Sequence, residues 1–172
     1  MISALSILLY YKNKKIRHFF RCFVSGILLL VGCTGHLIRL PTGTYPQDQY
    51  QVKLKCYSES FLGTPYRYGG SDRSGMDCSG FVMRIYLDVY GINLPHNTEE
   101  LHIKGIRIPL TSAEIGDLIF FREIRETQPS HIGIYMGQNT FIHVSNSLGV
   151  ILSNLDNDYY RIRFVEIRRI VR

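Results

Sequence analysis

Cysteine is scarce in this chain and oddly placed. The four cysteines are Cys22, Cys33, Cys56 and Cys78. No two form a CxxC pair, which argues against a structural zinc site. Cys22 and Cys33 lie in or at the end of an N-terminal leader, and Cys56 with Cys78 alone cannot build a disulfide framework. Acid is also missing from the first 33 residues, although Lys12, Lys14, Lys15, Arg17 and Arg21 lie there. Of the 20 Lys and Arg in the chain, the 15 that follow Cys33 meet 14 Asp and Glu. The net charge of +6 therefore belongs mostly to the leader, and the near-neutral body speaks against nucleic acid as a partner. The cluster Arg161, Arg163, Arg168, Arg169 and Arg172 reads as a solvated strand face. Low-complexity runs are absent. So is a long apolar run: residues 22–31 (CFVSGILLLV) are too few for a comfortable transmembrane helix.

What the leader does contain is the pattern of an export signal. A basic stretch at 12–21 (KNKKIRHFFR) precedes the apolar stretch, and Gly32 and Cys33 follow it. This predicts a signal peptide over residues 1–32. The ending Leu30-Val31-Gly32-Cys33 resembles the bacterial lipoprotein signal. That resemblance implies a lipid on the Cys33 sulfur, cleavage just before it, and a firm membrane anchor. Thr34, standing where Asp would otherwise follow, goes with the periplasmic face of the outer membrane. Residues 33–47, with Gly35, Pro41, Gly43 and Pro46, read as the lipidated cysteine and its tether.

The body over residues 48–172 is organised around residues 63–86, GTPYRYGGSDRSGMDCSGFVMRIY. Its Gly- and Tyr-rich first half cannot continue as a helix or a plain strand. After Cys78, the apolar residues Phe81, Val82, Ile85, Leu87 and Val89 recur mostly three and four apart, as on the buried stripe of a helix. Cys78 should therefore open a helix that stops at Gly91. A helix start offers unpaired N–H groups and the positive end of the dipole. Both favour a thiolate, the nucleophilic form of cysteine, and the same N–H groups can hold an oxyanion. Ahead of this segment, residues 48–62 have helical spacing, with Val52 and Leu54 on the apolar side and Cys56 a core residue. Asn97 or Thr98 caps a short helix through Ile103. Short strands follow at 117–121, 131–136, 140–145, 150–153 and about 164–171. Helices first and strands after predict an α+β domain with an antiparallel sheet.

The hairpin of residues 131–145 carries the second half of the chemistry. With residues 137–139 as a three-residue loop, Ile134 faces Ile142 and His143 faces Gly133. Ile132, Ile134, Met136, Ile142 and Val144 then share one face as core. His131, Gly133, Tyr135, Phe141, His143 and Ser145 share the other, and Gly133 leaves room for a ring. A two- or four-residue loop would separate the histidines and scramble the apolar pattern. Two neighbouring imidazoles and a cysteine at a helix start form a plausible Cys–His catalytic unit, with His131 as base and His143 orienting it. His96 and His102 have no evident partner and read as surface residues. A metal held by Cys78, His131 and His143 is the competing use of the same side chains.

GTPYRYGG, the Asp77-Cys78-Ser79-Gly80-Phe81-Val82 segment, Gly116-Asp117-Leu118-Ile119-Phe120-Phe121, His131-Ile132-Gly133-Ile134-Tyr135 and Phe141-Ile142-His143 together resemble the NlpC/P60 family of cell-wall cysteine peptidases. The resemblance covers about residues 48–172, in the family's order, and with the leader it points to lipoprotein members. It implies a papain-like α+β fold, with N-terminal helices packed on an antiparallel sheet, and a Cys78–His131–His143 triad. It further implies that the Tyr66 hydroxyl points into the site and that Asp77 and Ser79 shape the substrate pocket. No metal or cofactor is implied. The expected activity is hydrolysis of an amide in the stem peptide or cross-link of peptidoglycan, D-alanyl–diaminopimelate or γ-D-glutamyl–diaminopimelate, by a monomer. A wall-binding lipoprotein without catalysis, or a cysteine-dependent amidase or acyltransferase, are the alternatives.

Overall fold

A computed structural model describes residues 47–171. The predicted signal peptide, the lipid site Cys33 and the tether lie outside the described residues, except Gln47, which begins the first helix. Helix α1 (Gln47–Glu59) buries Leu54, while Val52, expected on the same apolar side, is exposed. Its partner is α2 (Cys78–Tyr90), which turns Phe81, Val82, Ile85, Tyr86 and Val89 inward. Leu87 departs from the expected stripe and faces solvent. Gly91 ends α2 in the left-handed region at φ 69°, and its N–H closes on the Leu87 and Tyr86 carbonyls. Between the helices, a small hairpin of β1 (Ser71–Asp72) and β2 (Gly75–Met76) brings the chain back to the start of α2. Helix α3 (Thr98–His102) is capped by the Asn97 side chain.

The remaining strands are β3 (Ile106–Ile108), β4 (Leu118–Phe121), β5 (His131–Gly137), β6 (Thr140–Ser145), β7 (Gly149–Asn154) and β8 (Phe164–Arg169). They form one antiparallel sheet in the order β3-β8-β4-β5-β6-β7. A short helix, α4 (Asp158–Arg161), links β7 to β8. The expected α+β class and antiparallel sheet are both present. The β1–β2 hairpin, β3 and α4 escaped the sequence reading, because two- to four-residue elements carry too little periodicity to register.

Both faces of the sheet are covered. Ile132, Ile134, Met136, Ile142 and Val144 pack beneath α1 and α2 in one core, as the alternation required. The opposite face holds a second core of Ile119, Phe121, Tyr135, Phe141, Leu155 and Ile167, with Tyr160 and Phe164 against it. Of the arginine cluster, Arg172 lies outside the described residues, and the other four each pair with an acid, Arg161 with Asp158. Arg169 makes a two-pronged contact with Asp117 at 2.8 and 2.9 Å and also reaches Glu114, Arg168 pairs with Glu166, and Arg163 with Glu123.

The histidine register is as expected, but its origin is different. Gly133 faces His143, Ile134 faces Ile142 and Tyr135 faces Phe141, after which Gly137 faces Thr140. The loop is therefore a two-residue turn, Gln138-Asn139, and Met136 is an extra residue bulged into β5. The turn alone would have put the histidines on opposite faces; the bulge restores the frame. Gln138 and Asn139 both have positive φ, 52° and 56°, as the primed hairpin turn needs to match strand twist. Asn tolerates that region well and β-branched residues do not. Gln138→Val is expected to lower unfolding free energy by about 1–2 kcal/mol, and Gln138→Asn to leave it unchanged or raise it, as measured by urea denaturation.

Candidate active site

The turn into α2 is held by one carboxylate. Asp77 is the N-cap residue, extended at φ −97°, ψ 178°. Its Oδ1 accepts the Gly80 N–H at 2.8 Å and the Ser79 hydroxyl at 3.0 Å, and lies 2.9 Å from His96 Nε2. Its Oδ2 accepts the Gly69 N–H at 2.7 Å. Burial on its own would raise the Asp77 pKa; hydrogen bonds from Gly80, His96, Gly69 and Ser79 outweigh it and hold the carboxyl below its ordinary value. Asp77 and Ser79 are both buried, and their side chains are spent on this cap, so the structure shows them shaping the turn beneath Cys78. His96 is not the unpartnered surface residue expected, since it binds Asp77. His102 also has company: Nε2 lies 2.9 Å from Glu166 and the ring sits edge-on to Phe120. Glycine is required at position 80, where a Cβ would meet the Gly70 carbonyl oxygen at 2.1 Å and His96 Nε2 at 2.7 Å.

Cys78 is the first residue of α2 and is a free thiol. Its Sγ lies 3.8 Å from Thr98 Oγ1 at the start of α3. Burial pushes the thiol pKa up. The Thr98 hydroxyl and the backbone N–H groups of Ile132 and Ser79 pull it down, and the Asp77 charge pushes it up again. The net direction is up, so the helix start does not by itself produce the thiolate expected from the sequence. Desolvation outweighs the hydrogen bonds here. Ile132 follows His131 on β5, and β5 packs against α2.

His131 and His143 come together as the register demands. Nε2 of His131 is 2.8 Å from Nδ1 of His143, and the rings are perpendicular. Gly133 lies between strands with no room to spare; a Cβ there would meet the Ile142 carbonyl at 2.9 Å and His143 Cβ at 3.1 Å. Burial depresses both imidazoles, His131 to about 4 and His143, with the charge of His131 adding to the effect, to about 3. Both rings are therefore neutral at neutral pH. His143 Nε2 meets two hydroxyls that sequence reasoning missed, Ser153 Oγ at 3.0 Å and Tyr160 Oη at 3.1 Å. Thr98, also missed, was read only as a possible cap. Hydroxyl residues are too common in strands and caps for any one of them to stand out.

Tyr66 lies in a strand-like bridge beside Met76. Partial burial, then the nearby charges of Asp77 and Cys78, raise its phenol pKa. The segment carrying it is tied to β7 by Gly63 N–H to the Val150 carbonyl and Val150 N–H to the Thr64 carbonyl, both at 2.9 Å. A separate cavity of about 310 Å³ is lined by Tyr50, Tyr86, Tyr90, Glu114, Asp117 and Arg169 among others. It contains neither Cys78 nor either histidine, and Arg169 and Asp117 within it are already paired with each other. Among the described residues, no group of three or more His, Cys, Asp or Glu is placed to hold one metal ion.

Comparison with known proteins accords with this geometry. The family model described as NlpC/P60 family matches residues 63–169. The chain belongs to the NlpC/P60 family. It is 40% identical over 144 residues to the "Probable endopeptidase NlpC" of Escherichia coli K12, covering 83% of this chain and 94% of that protein. It is 40% identical over 109 residues to the "Murein DD-endopeptidase MepS/Murein LD-carboxypeptidase" of the same organism, covering 63% of this chain and 57% of that one. An NlpC/P60 protein structure from Bacillus cereus superposes with a TM-score of 0.65 at 27% identity, over 75% of this chain and 42% of that one. For the NlpC/P60 domain seen here, the thiol environment sets a testable expectation. Alkylation of Cys78 by iodoacetamide should accelerate with pH only above the ordinary thiol range. Thr98→Val, which removes a hydroxyl that favours the thiolate, should shift that rise to still higher pH, as read by mass spectrometry of labelled protein.

Proposed function

We propose that this chain is a cysteine peptidase of the cell wall, cleaving an amide in the peptides of peptidoglycan. The observation that supports the proposal is the hydrogen-bonded pair of neutral imidazoles on β5 and β6, with β5 packed against the helix α2 that opens at the free Cys78. Family membership and the names of the E. coli relatives supply the substrate class. Cys78 attacks the scissile carbonyl while His131 takes the thiol proton, so the C–N bond is replaced by a thioester. The unpaired first N–H groups of α2, with the Tyr66 hydroxyl beside them, stabilise the oxyanion. His131 then gives its proton to the departing amine. Water, deprotonated by the same imidazole, breaks the thioester and restores the thiol with release of a carboxylic acid. His143 holds His131 in place throughout, and Asp77 and Ser79 keep the Cys78 turn rigid below the substrate. The relative named murein DD-endopeptidase favours D-alanyl–diaminopimelate in a cross-link over γ-D-glutamyl–diaminopimelate in a stem. The leader supports export and lipidation at Cys33, which would hold the domain at the periplasmic face of the outer membrane, within reach of the wall.

Two measurements test the assignment. Purified sacculi and defined muropeptides incubated with wild type should yield products whose masses name the bond. Cys78→Ala should lose at least about a thousandfold in rate while still folding. Binding of sacculi without cleavage by the wild type would instead indicate a wall-binding protein. The second is a pH profile. A base depressed to about 4 loses function only when protonated, so the acidic limb of kcat/KM should fall near pH 4 and not near the ordinary histidine value. A limb near 6.5 would contradict the dry, neutral site described here.

A further inference from the structure

The proton count along the imidazole chain has only one productive solution, and it calls for acceptors beyond the second histidine. If His131 is to receive the thiol proton on Nδ1, that nitrogen must be bare, and the single hydrogen of its neutral ring must sit on Nε2. Nε2 then donates to His143 Nδ1 across 2.8 Å. His143 must in turn carry its hydrogen on Nε2, where a buried N–H needs an acceptor. The two hydroxyls beside it provide one. Ser153 Oγ and Tyr160 Oη stand 3.0 and 3.1 Å from that nitrogen, and the Ser153 hydroxyl donates to the Tyr160 oxygen at 3.2 Å. That internal bond leaves the Ser153 oxygen free to accept, and it turns the remaining phenol hydrogen away from the triangle.

The arrangement is built by β7 and α4. Ser153 sits on β7 opposite Phe141, two pairs along from His143, which faces Ile151, and so on the same face of the sheet. Tyr160 comes from α4, whose first turn is capped by Asn157, and its ring lies edge-on to Phe141 at 4.9 Å and His143 at 5.3 Å. His143 is 2% exposed, so bulk water does not compete for the nitrogen. We infer that Ser153 and Tyr160 are positioning residues that hold His143 in the Nε2–H tautomer, and through it hold His131 with Nδ1 bare and aimed at the nucleophile. The inference rests on the Cys78–His131–His143 reading proposed above. Both acceptors are neutral, so the chain sets the tautomer without drawing positive charge onto His143, which a carboxylate in the same place would do.

The test uses the full chain in detergent, 15N-labelled at histidine. In the wild type, two-bond 1H–15N spectra should show His143 protonated at Nε2. The double variant Ser153→Ala, Tyr160→Phe keeps the tyrosine ring packing and removes both acceptors. It should show His143 shifted towards the Nδ1–H form and a kcat lower by about tenfold or more, with KM little changed. Each single variant, retaining one acceptor, should lose less, and these give the same tautomer readout should the double variant not fold. Wild-type kcat together with an unchanged His143 tautomer in the variants would overturn the inference. His143→Ala separates the two levels of the argument. If it is fully active, the triad reading itself fails; if it is inactive while the double variant is fully active, only the role of Ser153 and Tyr160 fails.

Discussion

The Asp77 carboxylate is the constraint on which the site depends. It sits buried at the junction of the Gly-rich loop and α2, and four donors from three parts of the chain meet it: Gly69, the Ser79–Gly80 turn and His96. A buried carboxylate is unfavourable unless its oxygens are satisfied, so the loop, the helix start and the residues following α2 are each bound to one geometry. Cys78, the next residue, inherits that geometry. The same logic explains the absence of side chains at Gly70 and Gly80: a Cβ at Gly70 would meet the Gly75 carbonyl oxygen at 2.3 Å, and one at Gly80 would collide with the Gly70 carbonyl.

Against this charged support, the groups proposed to react are kept neutral. Burial raises Cys78 and lowers His131 and His143, so the resting pair is thiol and imidazole. In the proposed mechanism, charge separation belongs to the moment of attack, when the scissile carbonyl would bring its own developing oxyanion to the first N–H groups of α2. A dry site also strengthens each remaining dipole. The partners found around it, Thr98, Ile132 N–H, Ser153 and Tyr160, are dipoles and not ions.

The fold and most of the site were legible because they rest on short-range pattern. The alternation through Ile132, Ile134, Ile142 and Val144 named the core face, and the histidines fell together on the other. The residues between Tyr68 and Phe81 marked a helix opening at a cysteine. What the pattern did not contain was the bulge at Met136, because a two-residue turn with a bulge and a three-residue loop leave the same residues facing each other from Gly133 to Tyr135 and differ only in what faces Thr140. Val52 and Leu87 also misled, since helical spacing names a stripe but not its width, and both are exposed. His96 seemed idle because its partner is 19 residues away, with the whole of α2 between them.

By itself, the sequence determined the α+β layering, the cysteine at a helix start and the face that the two histidines share. Each follows from the period of its own segment, 3.6 or 2, and from glycines at turns. Only the tertiary structure decided what surrounds those groups. It supplied the burial that raises the thiol and depresses the imidazoles, the Thr98 contact at the sulfur, and the Ser153–Tyr160 pair behind His143. Protonation and tautomer depend on desolvation and on partners brought from distant elements, and no local spacing records either.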